Sequence, residues 1–119
     1  MVISEKMVSA INEQIKNEFF SYWLYLSMAY CFEDMDMKIF AKWFHAQAIE
    51  EQTHAMKMAD YLCDQGAKVK LLALDQPKSD YSSTLEIVQA ALVHEEWVTQ
   101  KINELVALAR QENDFATES

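Results

Sequence analysis

"AKVKLLALDQPKSDYSS", residues 67–83, is the one long stretch of this chain that reads as neither helix interior nor tight turn. Pro77 lacks a backbone donor and excludes a continuous helix there. Leu71, Leu72 and Leu74 mark the segment as a strap lying against a body. Extended, it reaches up to about 56 Å. What it joins therefore decides the topology.

Upstream of the strap stands Gly66, the only glycine, where a helix C-terminal cap belongs. The helix it closes runs back to about Asp36, which is placed to cap it. "FEDMD", residues 32–36, is a short polar break, and before it a helix runs from a Ser4 cap to Phe32 or Glu33. Downstream, Ser83 followed by Glu86 is a capping box that opens a third helix ending near Gln111. Phe115–Ser119 is a stub in which Thr117 is placed to begin something further. Three helices of roughly 28 residues are each about 42 Å long. That is far above the globular mean and indicates a bundle. The short first turn makes helices one and two antiparallel. The strap is long enough to travel the bundle and set helix three parallel to helix two.

The totals agree. A chain of 119 residues with 51% apolar content forms one domain, 1–119. One glycine and one proline argue against a sheet-rich fold. A net charge of −9 argues against nucleic acid or an anionic membrane as partner and favours cations. Cys31 and Cys63 read as free thiols of a reducing, cytoplasmic setting. No signal peptide and no transmembrane helix are expected.

Stepping four and three residues along each helix gives three apolar stripes. They are Ile11, Ile15, Glu18, Tyr22, Tyr25, Ala29, Phe32; then Phe40, Phe44, Gln47, Glu51, His54, Met58, Leu62; then Val88, Leu92, Glu95, Thr99, Ile102, Val106. Each is interrupted by polar residues near its centre, and the interruptions fall at one depth. Alone, His54 reads as a satisfied core histidine, and Glu18 or Glu95 as a solvent-facing residue. Together they place three carboxylates and an imidazole inside an apolar bundle. Such a group takes up protons or binds a cation. Oxygen and imidazole donors suit iron, manganese or zinc. Glu51 and His54 at i and i+3 share one side of their helix. Tyr22 and Tyr25 sit a turn from Glu18, to fill the core, to orient a carboxylate or to supply an electron. Glu50, Glu96, His45 and His94 lie off the stripes, the histidines as surface residues. The methionines are packing. Trp23, Trp43 and Trp97 are expected to be partly exposed, which suggests subunit interfaces.

"NEQIKNEFFSYWLYLSMAYCFE", "FAKWFHAQAIEEQTHAMKMADYL" and "ALVHEEWVTQKINELVALARQENDFATES" resemble the non-haem bacterial and archaeal ferritins, over essentially the whole chain. The resemblance implies an all-α, ferritin-like bundle with its long crossover between helices two and three. It implies a first iron held by Glu18, Glu51 and His54, with Glu51 bridging to a second iron that also takes Glu95. It places the family's tyrosine at Tyr25 and a third-iron ligand at Glu50. The chemistry it implies is iron storage with ferroxidase activity, oxidising Fe(II) by dioxygen or hydrogen peroxide for mineral storage in a 24-subunit homo-oligomer. The sequence departs from the family in ending at "DFATES", where a fourth long helix and a short fifth are expected. Three inward-striped helices leave one flank of the core bare, which invites association, swapping or an altered, smaller assembly.

Haem is not expected: in bacterioferritins a methionine follows the bridging glutamate, and here Gln52 stands there. The paired C-x-x-C motifs of rubrerythrin-like peroxidases are missing. DNA-binding mini-ferritins place their ligands between subunits. A different class of reading is a shortened helical protein that binds metal weakly and acts only as a structural or assembly module. Metal content after anaerobic Fe(II) addition separates the two classes.

Overall fold

The computed structural model describes residues 3–118 and is all-α. Its elements are α1 (Glu5–Asp34), α2 (Lys38–Asp64), α3 (Thr84–Gln111) and a single turn, α4 (Phe115–Glu118). The body is 50 Å long and 22 Å across. Ser119, the last residue of the expected stub, lies outside the described residues.

Local chemistry sets the ends of the helices. Ser4 caps α1 by accepting from the Met7 amide. Ser83 caps α3 by accepting from the Glu86 amide. The other arm of the expected capping box is displaced. Glu86 reaches the amide and hydroxyl of Ser82 and, at 2.9 Å, the Lys78 ammonium. These donors bring its pKa down to about 2. Asp36 does not cap α2. It adopts a left-handed turn conformation, φ 58°, and Met37 holds the cap position without a side-chain bond. A three-residue turn must reverse the chain sharply, and aspartate tolerates positive φ better than most residues. Gly66, φ 74°, closes α2 as expected.

The strap runs the length of the bundle along α1. Near its start, Asn12 donates to the Lys68 carbonyl at 3.1 Å and accepts from the Lys70 amide at 2.8 Å. Near its end, Ser27 donates to the Lys78 carbonyl and the Cys31 thiol to that of Ser79. The chain thus returns to the end where α2 began, and α3 runs parallel to α2. Both thiols are free. No helix among the described residues is long and apolar enough to cross a membrane.

α1 is the only helix that packs against both α2 and α3; among the described residues the bodies of α2 and α3 do not approach each other. The core divides in two. One part gathers Leu24, Tyr25, Met28, Phe32, Ala41, Phe44, Ala48 and Ile87, with Phe32 stacked on Phe44 at 5.1 Å. The other gathers Ile3, Met7, Ile11, Ile15, Leu62 and Ala109. Glu18 and Glu51 lie buried at the level between them.

The expected inner stripe of α3 is not its buried face. Val88, Leu92, Glu95 and Thr99 are exposed, while Ile87 and Ala109 are fully buried. The stripe is offset by about 100° around the helix from the face that meets α1. It looks into the open side between α2 and α3, where α2 presents the exposed Phe40 and Trp43. α4 starts beside this opening. Asn113, φ 57°, turns the chain, Asp114 accepts from the Thr117 amide at 3.1 Å, and Thr117 meets the Tyr61 hydroxyl of α2 at 2.7 Å.

Asn12 is buried and fastens the strap through both its amide atoms. Replacing it with alanine leaves a backbone carbonyl and amide unpaired. Urea denaturation of Asn12→Ala is expected to show a loss of about 1–3 kcal/mol; unchanged stability would mean that the strap is held elsewhere.

Candidate metal centre

Glu18, Glu51 and His54 each place a donor atom within 4.8 Å of the other two. Among the described residues this is the only such group of histidine, cysteine, aspartate or glutamate. It arises from helix spacing. Glu18 is on the face of α1 that packs on α2, one turn beyond Ile15 and Gln14. Glu51 and His54 are one turn apart on α2, with His54 Nδ1 3.4 Å from Glu51 Oε2.

The two carboxylates are almost removed from water, whereas the His54 side chain is 46% exposed. The group therefore has a dry floor and a wet rim. Each carboxylate has one oxygen held from the preceding turn. Gln14 Nε2 donates to Glu18 Oε1 at 3.3 Å, and Gln47 Nε2 donates to Glu51 Oε1 at 3.1 Å. These glutamines leave the other oxygens to face the group. Glu18 Oε2 is buried and has no hydrogen-bond partner. A buried polar atom without a partner is rare and needs an explanation. Here it faces another carboxylate and an imidazole, a donor set that fits a di- or trivalent transition metal.

Electrostatics agree. Burial, reinforced by the facing Glu51 carboxylate, pushes Glu18 up to about 8. Without a cation the pair holds a proton at neutral pH. A bound cation removes the reason for that proton and expels it.

Not every expected residue joins the group. Glu95 is exposed on α3 and accepts a hydrogen bond from the Tyr25 hydroxyl instead. Tyr25 is buried, and burial, then its bond to Glu95, raises its pKa. It lies within reach of the charges of Glu95, Glu51 and Glu18, so it links the two sides of the site. Glu50 is exposed and stands outside the group.

His94 is not the surface residue its position off the stripe suggested. It is half-buried between α1 and α3, and burial lowers its pKa against the opposing charges of Glu95 and Glu51. Its Nε2 lies 2.7 Å from Ser21 Oγ. Ser21 Oγ also lies 3.0 Å from the Asn17 carbonyl, so a hydrogen on His94 Nε2 would let all three groups be satisfied together. The face of α3 that meets α1 is set by packing between helices, which no single-helix periodicity reveals. The roles of Gln14 and Gln47 also went unread, although each stands four residues before the carboxylate it holds, the spacing of helix neighbours.

The sign of the Glu18 effect is testable. Its folded pKa lies above its ordinary 4.5, so its contribution to the stability of the metal-free protein is fully present below pH 4.5 and is lost as pH rises through about 8. Glu18→Gln, which mimics the neutral acid, is expected to flatten this decline in chelator-treated protein. Parallel urea midpoints for parent and variant across that window would contradict it.

The chain matches the family model of the ferritin-like domain over residues 8–119. It is 39% identical over 117 residues to a bacterial non-heme ferritin of Bacteroides fragilis, covering 98% of this chain and 74% of that protein. A bacterial non-heme ferritin of Staphylococcus aureus is 36% identical over 116 residues, covering 98% and 70%. The solved open pore ferritin of the hyperthermophilic archaeon Archaeoglobus fulgidus superposes with a TM-score of 0.96 at 47% identity, covering 98% of this chain and 71% of that one. Chlorobium tepidum ferritin superposes with a TM-score of 0.94 at 33% identity, covering 98% and 71%. Sequence and fold agree along nearly the whole chain, through all three long helices and the strap between the second and third, and the chain therefore belongs to the ferritin family.

Proposed function

We propose that this chain is an iron storage protein with ferroxidase activity. Fe(II) is its substrate, taken at Glu18, Glu51 and His54. Glu51 bridges to a second ion that Glu95 completes, and Glu50 receives a third nearby. Dioxygen or hydrogen peroxide oxidises Fe(II) to Fe(III), which is then stored as mineral inside a homo-oligomeric shell, 24 subunits in the family pattern. The reading places the protein in the cytoplasm, where two unpaired thiols are at home.

The observation that carries the reading is the partnerless, buried Glu18 Oε2 set between Glu51 and His54. A folded protein keeps such an atom at a cost, and a cation removes that cost. Family membership makes iron the favoured cation. Exposed Trp23, Tyr30 and Trp43 support burial against other copies of the chain. The second reading is a structural or assembly module with weak metal binding. It is favoured by the single three-donor group among the described residues and by the tie between Glu95 and Tyr25.

Anaerobic Fe(II) titration by calorimetry, with the mass of the assembly measured on the same sample, separates them. Two ions per chain in a large particle are expected. Binding of one ion or none in a small oligomer would favour the module. Glu51→Ala is expected to empty both positions and His54→Ala the first alone. Gln47→Leu, which frees the Glu51 carboxylate from its support, is expected to weaken binding about 10–100-fold. Full occupancy in Glu51→Ala would sink the assignment.

A further inference from the structure

Behind the Glu18 carboxylate stands a second amide with no part in the site described so far. Gln14 is buried and donates from Nε2 to Glu18 Oε1 at 3.3 Å. Its own carbonyl oxygen, Oε1, accepts from Asn17 Nδ2 at 3.2 Å. Chemistry fixes the order of these bonds. An ionised carboxylate oxygen only accepts, so Gln14 must turn its NH2 group to Glu18 and its carbonyl away. A buried carbonyl needs a donor, and Asn17 provides it. Asn17 is half-buried at the edge of the groove between α1 and α3, where Trp97 and Lys101 also stand. Its backbone carbonyl lies 3.0 Å from Ser21 Oγ, which lies 2.7 Å from His94 Nε2. Glu18 is thus braced from the side of α1 that meets α3.

The Glu51 side has a single brace. Gln47 donates to Glu51 Oε1 at 3.1 Å, and among the described residues no hydrogen bond reaches the Gln47 carbonyl oxygen.

We propose that Asn17 is a positioning residue that, through Gln14, withholds Glu18 Oε1 from the metal centre and so makes the centre favour ions that take few donors. The inference rests on the metal centre proposed above and adds what sets its selectivity. With Oε1 held, Glu18 offers Oε2 alone, the oxygen without a partner. A carboxylate with both oxygens free can chelate one ion, which adds a donor without adding a residue. Four-coordinate Zn(II) has no place for that extra donor. Mn(II), at home in octahedral oxygen-rich sites, has one. Glu51, braced once, keeps the freedom to turn that a bridge between two ions requires.

Two replacements of Asn17 separate this role from packing. Asn17→Leu removes the donor. Asn17→Asp keeps the shape but, ionised, can only accept, and so turns the Gln14 amide round. Zn(II) and Mn(II) are titrated separately into chelator-treated protein by calorimetry. In both variants the affinity for Zn(II) is expected to fall about 10-fold relative to that for Mn(II). A packing defect weakens both ions alike, and the charge added by aspartate strengthens both alike, so neither moves the ratio. Tight binding with the parent's ratio kept in either variant overturns the proposal and leaves the metal centre standing. The brace itself is read without metal, as hydrogen exchange of the Gln14 side-chain amide followed by NMR. Slow exchange in the parent and faster exchange in both variants are expected; equal rates overturn the proposal. A parent that binds neither ion refutes the metal centre, and the selectivity with it, while the exchange rates still decide whether Asn17 fixes Gln14.

Discussion

A carboxylate taken out of water must be paired, protonated or bound to a cation, and Glu18 is in that position. It is buried, its outer oxygen has no donor, and Glu51 faces it across the α1–α2 interface. The rest of the structure can be read from that constraint. The core is interrupted at the level of Glu18 and Glu51, with apolar clusters above and below that close the bundle around them. Gln14 and Gln47 spend their amides on one oxygen of each carboxylate. That leaves the remaining oxygens aimed at one place, beside a His54 ring that stays in contact with solvent.

α1 makes this arrangement possible because it alone packs on both other long helices. One of its faces carries Glu18 toward α2. Another carries Ser21 and Tyr25 toward α3, where His94 and Glu95 receive them. The strap keeps this geometry in register. Asn12 ties it at one end of α1 and Ser27 and Cys31 tie it at the other, so α3 can only run antiparallel to α1. Seen this way, the protein is a mast with two helices leaning on it and an open side between them. Phe40, Trp43, Val88 and Leu92 remain exposed along that side. Apolar exposure of this kind at the mouth of a metal site connects assembly with chemistry, since whatever covers the side also dries the site.

The helices, their caps at Ser4, Gly66 and Ser83, and the parallel course of α2 and α3 were legible in the sequence because they follow from local rules. These are capping chemistry, a 3.6-residue period and the reach of a seventeen-residue strap. The meeting of Glu18 with Glu51 and His54 was legible for the same reason, since all three sit on stripes whose interruptions share one depth. Asp36 was misread because a tight turn needed its tolerance of positive φ more than its capping oxygen. The α3 stripe was misread because periodicity identifies apolar faces without saying which neighbour each one meets.

Sequence alone therefore determined the secondary structure, the topology and the kinds of donor atom available, because these depend on spacing along one chain. Tertiary structure decided which carboxylates actually converge. Glu95 is drawn to Tyr25 rather than to His54, and His94 moves from apparent surface into the α1–α3 interface. The physical reason is that a helix has several usable faces, and which one is buried depends on the neighbour it meets. Only packing α1 against both partners selects the faces that set the burial and unpaired oxygen of Glu18.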